Sequence, residues 1–211
     1  MNRENQFKIV LLGDQGVGKT SISNVYVKKE FNSYENATSG ANYHSQICKI
    51  DNHQINFAVR LQIQRQIWDT AGQEKFKSLA RLYYRDSNAA LLVYDVTNYK
   101  SFQRVTDWIN ELNENSEPAL KFIVGNKIDQ VDKEEVSYDA AKQLAENYGC
   151  FLRLVSAKEK NGIFELFESV GRELLKNQQD NQNPMINQPP QTTNKPLVQQ
   201  MPQAQQSEKC C

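Results

Sequence analysis

Gly13-Asp-Gln-Gly-Val-Gly-Lys19-Thr20 stands directly after the apolar run Lys8-Ile-Val-Leu-Leu12. It fits the pattern G-x-x-x-x-G-K-[ST] in the strand-then-helix setting that gives the pattern its meaning. Gly16 and Gly18 let the backbone turn its N–H groups inward around phosphate oxygens. The helix that follows offers its positive N-terminus to the same anion. In such a loop Lys19 reaches the β- and γ-phosphates of a nucleotide, and the Thr20 hydroxyl ligates Mg²⁺.

Working outward, short apolar runs alternate with helical patterns. Lys8 to Leu12, Ala90 to Tyr94, Lys121 to Val124 and Cys150 to Val155 read as buried strands. Ser101 to Asn113, Ser137 to Tyr148 and Gly162 to Leu175 carry apolar residues at helical spacing. Strands alternating with helices predict an α/β fold, a mostly parallel sheet covered on both faces. Ligands of such sheets bind at the carboxyl ends of the strands, which is where the motifs fall.

Trp68-Asp69-Thr-Ala-Gly72-Gln73-Glu74 follows a run of alternating apolar residues that reads as a further strand. Asp69 at a strand end can hold Mg²⁺ through water, and Gly72 lets a backbone N–H approach the γ-phosphate. After Lys121 to Val124 comes Asn126-Lys127-Ile128-Asp129. The Asp129 carboxylate can accept from N1–H and the 2-amino group of guanine. Adenine would leave it unpaired, at a cost of about 1–3 kcal/mol or more for a buried charged group. The Lys127 stem can lie along the base face, and Asn126 can tie this loop to the phosphate loop. Ser156-Ala157-Lys158, after the last strand, supplies a backbone N–H to guanine O6. An ATP-dependent enzyme is disfavoured by the Asn126 to Asp129 motif.

Composition bounds the rest. The 211 residues carry 25 basic and 25 acidic side chains, a net charge of zero, which argues against a nucleic-acid partner. The apolar runs, such as Ala89 to Val93, fall short of the about 20 residues a membrane span needs. The four cysteines, Cys48, Cys150, Cys210 and Cys211, suit neither a disulfide framework nor a zinc site. Cys48 and Cys150 read as strand residues, and His44 and His53 have no partners that suggest a metal. Beyond Lys176 the chain is rich in Gln, Asn and Pro, with five of its six prolines. Too little apolar surface remains there to offset ordering entropy. The expected division is a folded domain over residues 1–176 and a disordered tail over 177–211.

With these motifs in order, the chain resembles the Rab branch of the Ras-like small GTPases. Phe76-Lys-Ser-Leu, Tyr83-Tyr84-Arg85, Leu92-Val-Tyr-Asp-Val-Thr97 and the terminal Cys210-Cys211 are similar to Rab signatures, and Ser78 to Arg85 is similar to the endosomal subgroup. The resemblance implies a P-loop (Ras-like) fold with a six-stranded sheet and a GTP-hydrolysing switch that regulates vesicle traffic. GTP or GDP with Mg²⁺ would bind through Asp14, Gln15, Gly16, Val17, Gly18, Lys19, Thr20, Ser21, Thr38, Gly72, Asn126, Lys127, Asp129, Ser156, Ala157 and Lys158. The metal would be held by Thr20, Thr38 and Asp69. Thr38 matches the switch I threonine, nineteen residues after Lys19, which meets the γ-phosphate in the GTP state alone. Gln73 matches the catalytic residue that orients the attacking water. Tyr43, Trp68 and Tyr83 match the aromatic triad shown to effectors.

The implied partners are an exchange factor, an activating protein, effectors, a prenylation escort and a GDP-dissociation inhibitor, acting on a monomer. Its place would be the cytoplasmic face of intracellular membranes, endosomal ones by the subgroup likeness, in exchange with the cytosol. No arginine is placed by the sequence to act as an internal finger, so hydrolysis should depend on the activating protein. Cys210 and Cys211 match double geranylgeranylation sites, two chains being what stable anchoring takes, and they do not fit C-a-a-X. The tail holds Asp180, Lys195, Glu208 and Lys209 as its charges. As a coil of 35 residues it would span about 30–35 Å.

Three departures qualify the likeness. Gln15 replaces a smaller residue beside the γ-phosphate, and Thr38-Ser39-Gly40 lacks the usual isoleucine. Together they open an alternative reading, a GTP-binding module with little or no hydrolysis. The stretch from Thr38 to Asp69 is longer than family members lead one to expect by about eight residues, roughly 26 Å of strand. The excess is placed near residues 56–66, either as a bulge or strand extension or as retained non-coding sequence.

Overall fold

The structure is a computed structural model that describes residues 5–32, 42–50, 53–61, 84–115 and 120–182. In chain order the elements are β1 (Asn5–Leu12), α1 (Lys19–Lys28), β2 (Asn42–Ile50), β3 (His53–Leu61), β4 (Ala89–Asp95), α2 (Tyr99–Asn115), β5 (Leu120–Asn126), a 3₁₀ turn (Val131–Lys133), α3 (Tyr138–Asn147), β6 (Phe151–Val155) and α4 (Ile163–Gln182). The six strands lie in the order β2-β3-β1-β4-β5-β6. All neighbouring pairs are parallel except β2 with β3. This is the α/β sheet of a P-loop fold.

Continuous apolar runs form the central strands because both faces of the sheet are covered. Every residue of β4 is buried. Alternation along β1 sends Phe7, Ile9 and Leu11 to one side, where α1 and α4 contribute Ile22, Val25, Tyr26, Ile163, Leu166, Phe167 and Val170. Val10 and Leu12 face the other side, against Phe102, Val105, Trp108, Ile109 and Leu112 of α2 and Ala141 and Ala145 of α3. Tyr26 of α1 stacks on Phe167 of α4 with ring centroids 3.7 Å apart. Parallel strands align their carboxyl ends, so the loops after β1, β4, β5 and β6 gather along one edge.

Two boundaries differ from the sequence expectation. The composition break at Lys176 does not end the last helix, which runs six residues further to Gln182. Burial stops near Leu174 and Leu175, but an established helix adds a hydrogen bond with each residue it fixes, so propagation outlasts packing. The break in composition marks the end of the core, not of the helix.

The second concerns the excess expected near 56–66. Every residue of β3 from His53 to Leu61 pairs one-to-one with β2, ending at Asn42↔Leu61. Ile55 to Leu61 also pair in unbroken register with β1. A strand held on both edges has no room for an extra residue, so residues 56–61 hold no bulge. The remainder of that range, 62–66, lies outside the described residues.

Candidate functional site: a nucleotide cradle at the sheet edge

The loop between β1 and α1 is built on glycine backbone. Gly13, Gly16 and Gly18 have φ values of 140°, 80° and 96°, in the region side chains avoid. Space matters as much. A Cβ on Gly13 would lie 2.1 Å from the Val93 carbonyl oxygen of β4, and one on Gly18 would lie 2.2 Å from Asn126 Nδ2. Gly18 is the N-cap of α1 and has no side-chain cap, so the first N–H groups of α1 are not bonded by the residue that starts the helix.

Lys19 folds back over this loop. Its Nζ donates to the carbonyls of Gly13 (2.7 Å) and Asp14 (2.6 Å). The residue is 9% exposed, and burial lowers its pKa to about 8, against a partial counter-effect from Asp14. A cation carried into the interior and held by neutral carbonyls is matched to an anion that arrives with the ligand. The residues present therefore fit a phosphate group. Among the described residues no three His, Cys, Asp or Glu side chains are gathered as a metal site. Thr20, whose hydroxyl the sequence offers to Mg²⁺, stands in the first turn of α1.

Asn126, at the end of β5, joins three loops. It is 1% exposed. Its Nδ2 donates to the Val17 carbonyl at 2.8 Å, and its Oδ1 accepts from the Ala157 N–H at 3.1 Å. The tie to the phosphate loop that the sequence led us to expect is this first bond. The second engages one of the three N–H groups among which the donor to guanine O6 is expected. Ala157 N–H is engaged by Asn126, Ser156 N–H by the Asn161 carbonyl, and Glu159 N–H by Ser156 Oγ. Within Ser156-Ala157-Lys158 the Lys158 N–H has no protein acceptor among the described residues.

Asp129 lies two residues past Lys127, which takes a left-handed φ of 71°. Its side chain is 8% exposed. Ser156 Oγ donates to its Oδ1 at 2.6 Å, and Lys158 Nζ lies 3.8 Å from its Oδ2. Ser156 thus orients the carboxylate from the neighbouring loop and leaves further lone pairs on both oxygens. The Lys158 side chain is 62% exposed and can swing clear.

Three contributors were not singled out in the sequence. Asp95 ends β4, one residue past the expected strand. It pairs with Lys127 Nζ at 2.6 Å and accepts from the N–H and hydroxyl of Thr97. Its signal was a carboxylate at the carboxyl edge of the strand next to the one bearing Asn126. Arg104 of α2 lies against the phosphate loop, with its Nε 3.6 Å from Asp14 Oδ1. Lys160 Nζ donates to the Lys29 carbonyl at 2.8 Å, across the C-terminus of α1. Nothing local in sequence reveals either of the last two.

The structure brings together residues 13–21, 126–129 and 156–158. Thr38, Trp68, Asp69, Gly72, Gln73, Tyr83, Cys210 and Cys211 lie outside the described residues, so this structure does not place them. Tyr43 is in β2, opposite Arg60 of β3.

Comparison with known proteins agrees with this architecture. Residues 8–176 match the Ras family. The GTP-binding protein YPT52 of Saccharomyces cerevisiae is 39% identical over 191 residues, covering 80% of this chain and 82% of its own. The Ras-related protein Rab5A of Oryza sativa subsp. japonica is 37% identical over 193 residues, covering 90% of this chain and 91% of its own. The chain belongs to the Ras family, in its Rab branch: it is a GTPase that binds GTP and GDP with Mg²⁺, works as a switch in vesicle traffic, and is served by exchange factors, activating proteins and effectors.

Proposed function

We propose that the edge formed by residues 13–21, 126–129 and 156–158 is the guanine-nucleotide site of this switch, with Asp129 reading the base and Lys19 meeting the phosphates. The observation that carries the reading is Asn126, whose one side chain holds the phosphate loop and the two base loops in fixed relation. In this reading the phosphates lie at Gly16 to Thr20 and the base beside Asp129 and the Lys158 N–H. Mg²⁺, where bound, would neutralise phosphate charge, and Thr20, Thr38 and Asp69 would hold it. Thr38, Gly72 and Gln73 would answer to the γ-phosphate, Gln73 by orienting water, and Tyr43, Trp68 and Tyr83 would display the state to effectors.

The same reading takes residues 183–211 as a tether lipidated at Cys210 and Cys211. It makes a prenylation escort and a GDP-dissociation inhibitor partners, and an endosomal membrane the place of action. What supports the endosomal placement is the likeness to a Rab5A.

Asp129→Asn tests the base assignment. The amide presents a donor where guanine presents its 2-amino group, so GDP affinity should fall by at least about tenfold, as for an unpaired buried group. Xanthosine diphosphate, with a carbonyl at that position, should bind better than GDP. Competition titration with the two nucleotides reads the result. Unchanged GDP affinity places the base elsewhere.

A further inference from the structure

We propose that Arg104 is a positioning residue for the phosphate site: it restrains Asp14 and so keeps Lys19 available to the nucleotide's outer phosphates. This rests on the assignment of residues 13–20 as the phosphate loop.

Asp14 is the second residue of that loop, and it is held from two directions. Its carbonyl accepts from Lys19 Nζ at 2.6 Å. Its carboxylate points toward α2, where Arg104 Nε lies 3.6 Å from Oδ1. Both side chains are partly shielded, at 28% and 37% exposure. Asp107, one turn along α2, also lies 3.8 Å from Arg104 Nε, so the guanidinium has two carboxylates within 4 Å. The same helix grips the other half of the site through its first turn. Ser101 Oγ accepts from the Asp95 N–H at 3.0 Å while its proton goes to the Asn98 carbonyl at 2.7 Å, and Asp95 is the partner of Lys127. One helix thus reaches the phosphate loop through Arg104 and the base loop through Asp95.

The electrostatics give this contact a direction. Burial disfavours the Asp14 carboxylate, and Arg104 is the strongest cation acting on it, with Lys19 next. An anion beside a phosphate site competes with the phosphates for the site's cations. While Arg104 supports the Asp14 carboxylate, Lys19 remains for the ligand. With a neutral residue at 104, Asp14 would draw more on Lys19 and add a negative potential at the loop. A triphosphate carries more negative charge into that loop than a diphosphate, so it should suffer more.

The test uses the full chain and measures dissociation of fluorescent GDP and of a fluorescent, non-hydrolysable GTP analogue. Arg104→Gln should speed release of the GTP analogue by about threefold to tenfold, and that of GDP by less, as expected for one partly shielded charge pair. Arg104→Lys should recover most of the difference. In an Asp14→Asn background, Arg104→Gln should change either rate less than about twofold, because the carboxylate it supports is gone. Equal acceleration of both nucleotides, or the same acceleration with and without Asp14, overturns the proposal and leaves Arg104 a general stabiliser. A Lys19→Ala control separates this from failure of the site itself. If that variant releases both nucleotides like the wild type, the phosphates do not sit in this loop at all.

Discussion

Lys19 carries its charge into the interior, where its Nζ donates to the Gly13 and Asp14 carbonyls. Burial makes that charge a cost to the fold, offset in part by Asp14, and the cost depends on pH. A lysine whose folded pKa is depressed, here to about 8 from 10.5, weakens the folded state while it is protonated. The penalty is full below pH 8 and fades between pH 8 and 10.5, as the unfolded chain loses its preference for the proton. At neutral pH the shift corresponds to on the order of 3 kcal/mol. The nucleotide-free Lys19→Met protein, prepared in chelator, should therefore melt higher than nucleotide-free wild type at pH 7. That gap should close as the pH is raised toward 10.5. Melting curves of the pair from pH 7 to 10.5 check it, and a gap that stays constant with pH would show that Lys19 is not held as a strained cation. Residues such as Lys19, Asn126 and Asp129 were legible in the sequence because each stands in a short pattern whose spacing encodes its geometry. Arg104 and Lys160 were not: their partners lie 90 and 131 residues away in the chain, and only the packing of α2 and the closing of the 156–161 loop bring them together.

At the scale of elements, the strands were easy to read for the reason that makes them central. A strand buried on both faces is apolar throughout, as in Leu91 to Val93 and Phe122 to Val124. Ends were harder to place, because hydrogen bonding continues where burial stops. Asn5 and Gln6 are polar, yet they pair with Ile55 and Asn56 of β3. Past Lys176, α4 continues through Asn177-Gln-Gln-Asp180, where Gln178 is half-buried and the rest are exposed. This separation of bonding from packing has a measurable consequence. Phe167 lies under Tyr26 and beside Phe57 and is fully buried, so Phe167→Ala should cost about 3–5 kcal/mol, as for other buried aromatics. Ending the chain after Lys176 instead of after Gln182 should cost less than about 1 kcal/mol, since residues 177–180 are exposed apart from a half-buried Gln178 and add chiefly propagation. Urea unfolding of the GDP-bound proteins compares the two. If ending the chain after Lys176 costs as much as Phe167→Ala, the residues past Lys176 do more than propagate the helix.

For the whole molecule, the balance of charge bears on the membrane anchoring proposed above. The 25 basic and 25 acidic side chains cancel, and residues 177–211 contain two of each sign, at Asp180, Glu208, Lys195 and Lys209. Attraction to an anionic leaflet is worth about 1 kcal/mol for each basic residue close to the surface, and here acidic neighbours offset it. The anchoring proposed for Cys210 and Cys211 must then come from hydrocarbon, at about 0.8 kcal/mol per buried CH₂, where one chain gives marginal, reversible binding and two give a stable anchor. The doubly prenylated protein should stay on neutral and anionic liposomes alike and resist elution by 0.5 M salt. Cys210→Ser and Cys211→Ser proteins, each with one chain, should exchange between vesicles within the experiment, equally on both lipid compositions. Their GDP release should match wild type, because the nucleotide edge is built from residues 13–158 and the substitutions lie beyond α4. Co-sedimentation and vesicle-to-vesicle transfer measure both points. A singly prenylated variant that binds as firmly as the doubly prenylated protein, or that needs an acidic lipid to bind, would mean that the folded domain itself presents a membrane-attracting surface, which its neutral overall charge gives no reason to expect.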